Sequence, residues 1–180
     1  MDNGLIPQRY AKALYKFALE KGDTGHVYEL AKSLIETFRE NPDLHKVLSN
    51  PYVSSADKDK LLTTAAGKHH SDIFSRFINL LIENKRISYI YEIMLAYRDL
   101  YRKENRISQA RITTAVSLSP QQMEKLRSLV QNAFKDSTLE FSEKVDPNLI
   151  GGFIIDVDSL RMDASINNEL EQLRQTLLRS

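Results

Sequence analysis

The chain has 180 residues, 25 Lys/Arg against 24 Asp/Glu, 42% apolar residues and no cysteine. That length suits one ordinary domain or two small ones. Near-neutrality excludes the electrostatic signature of a nucleic-acid binder, and the lack of cysteine removes disulfides, thiolate nucleophiles and Cys-based zinc sites together. Residues 1–105 hold 16 basic and 14 acidic side chains and the remainder 9 and 10, so neither half hides a basic module.

The first twenty residues, MDNGLIPQRYAKALYKFALE, interleave charges with apolar positions and lack the uninterrupted core of a signal peptide. No stretch approaches the roughly 20 apolar residues of a membrane span, so membrane association is expected only through a partner.

From Ile6 to about Asn105 the pattern is helical. VYELAKSLIETF repeats Val27, Leu30, Ala31, Leu34, Ile35 and Phe38 on one stripe. Asn41-Pro42 predicts a restart, with asparagine as cap and proline at the first helical position of a short helix through Leu44, Val47 and Leu48. Ser54-Ser55-Ala56-Asp57 matches a capping box opening a helix with Leu61, Leu62 and Ala65. In SDIFSRFINLLIEN, apolar Ile73, Phe74, Phe77, Ile78, Leu80, Leu81 and Ile82 surround the helix on most sides. Such a helix is either central or offers apolar surface to something else. Asn84 closes it, and Ile87, Ile90, Tyr91, Met94, Arg98 and Tyr101 continue as a sixth helix. Six helices with short connections predict a bundle.

After Arg106 the period changes. In QARITTAVSL, Ala110, Ile112, Thr114, Val116 and Leu118 alternate with polar neighbours as in a half-buried strand. Ser119-Pro120-Gln121-Gln122 supplies an N-cap, a first-position proline and a box-closing Gln for a helix carrying Met123, Leu126, Val130, Ala133 and Phe134. Leu139 and Phe141 indicate a second strand and Phe153 to Val157 a third, with Asp158-Ser159 a tight link into Leu160 to Met162. A last helix shows Ile166, Leu170, Leu173 and Leu177. The fold class is therefore mainly α: a six-helix bundle over 1–105, then a small α+β unit over 106–180 whose strands are covered by helices on one side.

Chemistry is scarce. His69-His70-Ser71-Asp72 is better read as a polar helix start capped by Ser71 or Asp72 than as a metal cluster, because adjacent side chains diverge. Asp57 and Asp59 point apart on a helix, and Asp156 and Asp158 share a strand face without a nucleophile or cation beside them. Gly151-Gly152 precedes a strand and several aspartates, the reverse of a phosphate cradle; glycine there supplies positive φ or close backbone approach. Tyr89, Tyr91, Tyr97 and Tyr101 beside Arg86, Arg98, Arg102 and Lys103 suggest a base-stacking platform, but neutral charge and helical spacing favour packing.

Three segments carry a resemblance: RYAKALYKFA near the start, FINLLIENKRI in the middle and VDPNLIGGFIIDVDSLRMDASINNELEQLRQTL at the end. Together they resemble the delta-subunit family of the bacterial F-type ATP synthase, whose mitochondrial relative is the oligomycin-sensitivity-conferring protein. The resemblance implies a non-enzymatic stator component with no cofactor and no direct nucleic acid, peripheral on the cytoplasmic face of the bacterial inner membrane. Its expected partners are the N-terminal helices of the alpha subunits of the catalytic head, bound by the bundle, and the b subunits of the peripheral stalk, contacted by the C-terminal unit.

By the same resemblance the first and fifth helices supply a partner groove. On the first, Ile6, Tyr10, Ala13 and Phe17 form one stripe and Ala11, Leu14 and Ala18 its neighbour. Tyr10, Ala13 and Phe17 are expected to face outward, as are Phe77, Leu80 and Asn84 on the fifth, leaving Phe74, Ile78 and Leu81 for the bundle. Gly151-Gly152 becomes the shaped entry to the central strand. One departure is Lys85, where the family pattern leads one to expect glycine at a helix end. The rival readings are a free-standing adaptor for another amphipathic helix or RNA and, third, an enzyme.

Overall fold

The computed structural model describes residues 4–67, 71–135 and 137–179. The chain divides into two compact units, 1–104 and 105–180. Among the described residues there are eight α-helices and four strands.

The first unit holds α1 (Leu5–Glu20), α2 (Thr24–Glu40), α3 (Asp43–Ser49), α4 (Ser55–Ala66), α5 (Asp72–Glu83) and α6 (Ile90–Glu104). Every residue of the predicted α2 stripe is buried, together with Tyr28. From α1 the core takes Ala11, Leu14 and Ala18, from α5 Phe74, Ile78 and Leu81, and from α6 Ile90, Ile93, Met94 and Tyr97. Helix starts follow their caps: Ser54 Oγ accepts from Asp57 N at 3.1 Å and Ser71 Oγ from Phe74 N at 3.3 Å.

Two expectations are corrected. Asn41 ends α2 instead of capping α3, its Nδ2 donating to the Thr37 carbonyl at 3.1 Å, and Pro42 takes the N-cap position without a side-chain bond. Its amide side chain reaches an orphan carbonyl of the helix just finished before it can reach an amide of the next. Ile87 also stands outside the sixth helix: Ile87–Tyr89 is a 3₁₀ turn leading into α6.

The tyrosines are structural. Tyr97 is buried and its hydroxyl donates to the Thr24 carbonyl at 3.0 Å, and burial pushes its pKa far above the usual phenol range. Tyr28 and Tyr101 stack with centroids 4.3 Å apart, and Arg102 Nε donates to the Tyr28 hydroxyl at 2.9 Å. Faces that stack on each other are not a platform for bases.

In the second unit β1 (Ile107–Thr114), α7 (Pro120–Ala133), β2 (Thr138–Val145), β3 (Gly152–Val157) and β4 (Leu160–Ser165) precede α8 (Ile166–Arg179). The sheet order is β2-β1-β3-β4. β1 and β2 run parallel, joined by the α7 crossover; β3 is antiparallel to β1 and to β4. α7 opens with the predicted capping box on Ser119 and Gln122. Its Met123 and Val130 meet Ala110, Ile112, Leu139, Ile155 and Val157 in one core cluster.

The first strand is shorter than its alternation suggested. It ends at Thr114, whose Oγ1 donates to the Val116 carbonyl at 2.8 Å, and Val116 is exposed. A further correction concerns the last helix. None of the described α8 side chains is buried: Ile166, Leu170, Leu173 and Leu177 are 43%, 52%, 61% and 77% exposed, so its stripe does not cover the sheet.

The glycine pair opens β3. Gly152 has φ +76°, and a Cβ there would lie 2.2 Å from the Ala164 carbonyl oxygen on the paired strand, so only glycine fits.

Candidate functional site: a groove along α1 and α5

Along α1, Ala11, Leu14 and Ala18 turn inward, which leaves Ile6, Tyr10 and Phe17 half-buried and Ala13 exposed beside them. α5 lies against this side. Ile6, Arg9, Tyr10, Ala13, Leu80 and Arg86 line a concavity of about 320 Å³. Phe17, Lys21, Gly22, Asp23, Asp72, Ile73 and Arg76 line another of about 360 Å³. The early part of α1 thus meets the end of α5 and the late part its beginning, so the helices run antiparallel and the two concavities follow one another. From Ile6 to Lys21 the groove covers roughly 22 Å, the length of about four helical turns.

The expected residues divide into three sets. Ile6, Tyr10, Ala13 and Leu80 come together around one concavity, while Phe17 lines the next. Phe77 is a correction: it is only 5% exposed and belongs to the core, its ring meeting Tyr10 edge-on at 6.5 Å. It therefore supports the groove from beneath. Asn84 is exposed but engaged at the end of α5, with Nδ2 donating to the Leu80 carbonyl at 2.7 Å, and it lines neither concavity.

That helix end answers the question raised by Lys85. Its φ is +56°; Lys85 N donates to the Ile82 carbonyl at 2.9 Å and Arg86 N to the Leu81 carbonyl at 2.7 Å. These are the two bonds of a Schellman ending, formed here with lysine in the glycine position. α1 ends the same way with glycine: Gly22 has φ +68°, Gly22 N donates to Leu19 O and Asp23 N to Ala18 O.

The groove's chemistry is that of recognition. Leu80 is 43% exposed beside half-buried Ile6 and Tyr10, apolar side chains of the kind a helix face covers. Among the described residues no group of three His, Asp or Glu side chains is placed to hold a metal ion, and the His69-His70 pair lies outside them. Among the described residues no helix is long and apolar enough to cross a membrane.

A second apolar surface, in the C-terminal unit, was missed from sequence. Leu126, Leu129, Val130, Ala133 and Phe134 of the α7 segment and Phe153, Ile155, Val157, Leu160 and Met162 of the sheet line a concavity of about 390 Å³. Its signal was the surplus of apolar residues over one small core, Leu129 and Leu160 being more than 60% exposed.

A family model described as ATP synthase delta (OSCP) subunit matches residues 6–177. The chain is 40% identical to the ATP synthase subunit delta of Parabacteroides distasonis, covering 99% of this chain and 98% of the relative. It is 38% identical to that of Phocaeicola vulgatus, at 97% and 95% coverage, and 33% identical to that of Lactobacillus acidophilus, at 96% and 94%. A chain in the solved Toxoplasma gondii mitochondrial ATP synthase hexamer has the same fold, with a TM-score of 0.67 at 20% identity, covering 96% of this chain and 97% of that one.

Proposed function

The chain belongs to the ATP synthase delta (OSCP) subunit family and is a non-catalytic, stator-type subunit; from that premise we propose that its α1/α5 groove clasps the N-terminal helix of an alpha subunit of the catalytic head. The residues before position 105 act as a six-helix bundle for this purpose. The residues after it hold the b subunits of the peripheral stalk through α8 and the adjoining apolar concavity. The subunit works at the cytoplasmic face of the bacterial inner membrane, attached through these partners.

The observation supporting this reading is the succession of two concavities between α1 and α5, the first bringing Ile6, Tyr10, Ala13 and Leu80 together and the second holding Phe17, with apolar side chains interleaved with charged ones. A helix laid there buries its i, i+3, i+4 and i+7 positions at about 25 cal/mol per Å² of apolar surface. The exposed Ala13 leaves room for close backbone approach. The role follows from mechanics: a turning rotor loads the head with an opposing torque, and a connector without chemistry of its own holds the head still.

Titrating the full chain with a peptide of the alpha subunit's N-terminal helix from the same cell tests this. Saturable binding is expected, lost in Ala13→Trp, which fills the groove, and in Tyr10→Asp, which puts a charge into it. Phe77→Leu is expected to weaken binding less, because Phe77 acts through Tyr10. No saturable binding overturns the proposal.

A further inference from the structure

We infer that the groove has two ends of different charge: the end lined by Ile6 and Leu80 receives a stretch of partner helix whose apolar stripe is edged by carboxylates, which pair with Arg9 and Arg86 and fix the direction of insertion. This rests on the groove being a helix site, and adds what the helix must carry.

The two concavities differ in charge. Around the first, the only ionisable side chains among the described residues besides Tyr10 are Arg9 and Arg86, both exposed. Around the second, Lys21 and Arg76 are matched by Asp23 and Asp72. Some cations of this chain have carboxylates, Lys32 with Glu29, Lys46 with Asp43, Arg98 with Asp99 and Lys144 with Asp146, and others do not. Among the described residues, Arg9 and Arg86 stand in no such pair.

Arg86 is also held in place. Its amide closes the α5 ending on Leu81, and its guanidinium lies 6.0 Å from the centre of the Tyr89 ring. A lysine forced to positive φ immediately precedes it, a conformation that costs about 1–2 kcal/mol outside glycine. The turn thus keeps a strained residue while presenting a cation at the mouth of the groove.

An apolar helix closing over this end removes water from two guanidinium groups. Without an anion opposite them that desolvation opposes binding, whereas a carboxylate forms charge-assisted, often bidentate, hydrogen bonds. Reversing the helix would carry its carboxylates to the mixed end, where Asp23 and Asp72 offset the attraction of Lys21 and Arg76. Selection is therefore by sign and by direction.

The test uses the full chain and the alpha-subunit N-terminal peptide at about 50 mM salt, a condition chosen because screening is weak there. Arg9→Glu with Arg86→Glu is expected to raise Kd at least about tenfold, and to remove the weakening that salt causes in the unsubstituted protein. Exchanging the facing Glu or Asp pair of the peptide for Lys should restore binding to the doubly substituted protein. A nitroxide on the carboxylate-bearing end should broaden amides near Leu80 more strongly than those near Ile73, about 10 Å away along α5. Unaltered circular dichroism and melting show that the doubly substituted protein folds. Should the double variant bind within twofold of the original, or the charge exchange fail to rescue it, this inference falls while the groove stands. A partner helix with no carboxylate beside its stripe has the same consequence. Absence of any binding to the unsubstituted protein overturns both.

Discussion

Residues 4–104 and 105–179 use their apolar side chains differently. In the first unit most stripes are consumed internally: α2 buries Val27, Leu30, Leu34 and Phe38 and α6 buries Ile93, Met94 and Tyr97, while the outer edge of α1 with one side of α5, and a concavity of about 540 Å³ beside Leu44, Leu61 and Ala65, stay open. In the second, α7 and the sheet share a small core around Ile112, Val130 and Ile155, while α8 and the surface beside Leu160 and Met162 remain unfilled. The first unit buries the greater part of its stripes, and the second leaves more of its apolar surface open.

Variants in the two regions can break or sharpen that contrast. The largest effect is expected for Phe74→Ala, which empties a fully buried position of the first core and should cost about 3–5 kcal/mol in urea denaturation. Gly152→Ala comes next in the second unit. It forces positive φ on alanine and drives a methyl against the Ala164 carbonyl, so a loss of roughly 2–4 kcal/mol is expected in the same assay. Lys85→Gly should act in the opposite sense, raising stability by about 0.5–1 kcal/mol because the αL strain disappears while the glycine costs unfolded-state entropy.

Leu170→Gln combined with Leu173→Gln should change stability by less than about 0.5 kcal/mol, since both side chains are more than half exposed. The same pair should weaken capture of the stalk b subunits severalfold. A large stability loss would show that α8 belongs to the core after all.

The smallest effect is a pH dependence. Asp163 accepts from the Ser165 hydroxyl at 2.6 Å and from its amide at 3.1 Å, which holds its carboxyl below the usual range. A depressed folded pKa contributes stability above the unfolded value and loses it as pH falls through the folded one. Melting of the C-terminal unit should therefore decline more steeply below the ordinary carboxylate range in the native chain than in Asp163→Asn.

Sequence reading went furthest where local chemistry decides. The serines at 54, 71 and 119 cap the helices they were expected to cap, and Asp158-Ser159 joins β3 to β4. It stopped where the partner of a stripe matters. Periodicity shows that α8 has an apolar side at Ile166, Leu170, Leu173 and Leu177, but the same four residues would be written for a helix packed on its own sheet. It likewise marked Phe77 as apolar without revealing that Tyr10 covers it. Asn41 failed for a related reason: one side chain sits between two helix ends and satisfies only one of them.

The sheet order leaves β2 and β4 as outer strands, and their composition suits the exposure. β2 carries Glu140, Glu143 and Lys144, with Glu143 tied to Arg127 of α7, and β4 carries Arg161 and Asp163 facing one another at 3.7 Å. Charged margins discourage an unrelated chain from extending the sheet. A chain that leaves apolar surface in the open is thereby protected from runaway strand pairing with copies of itself.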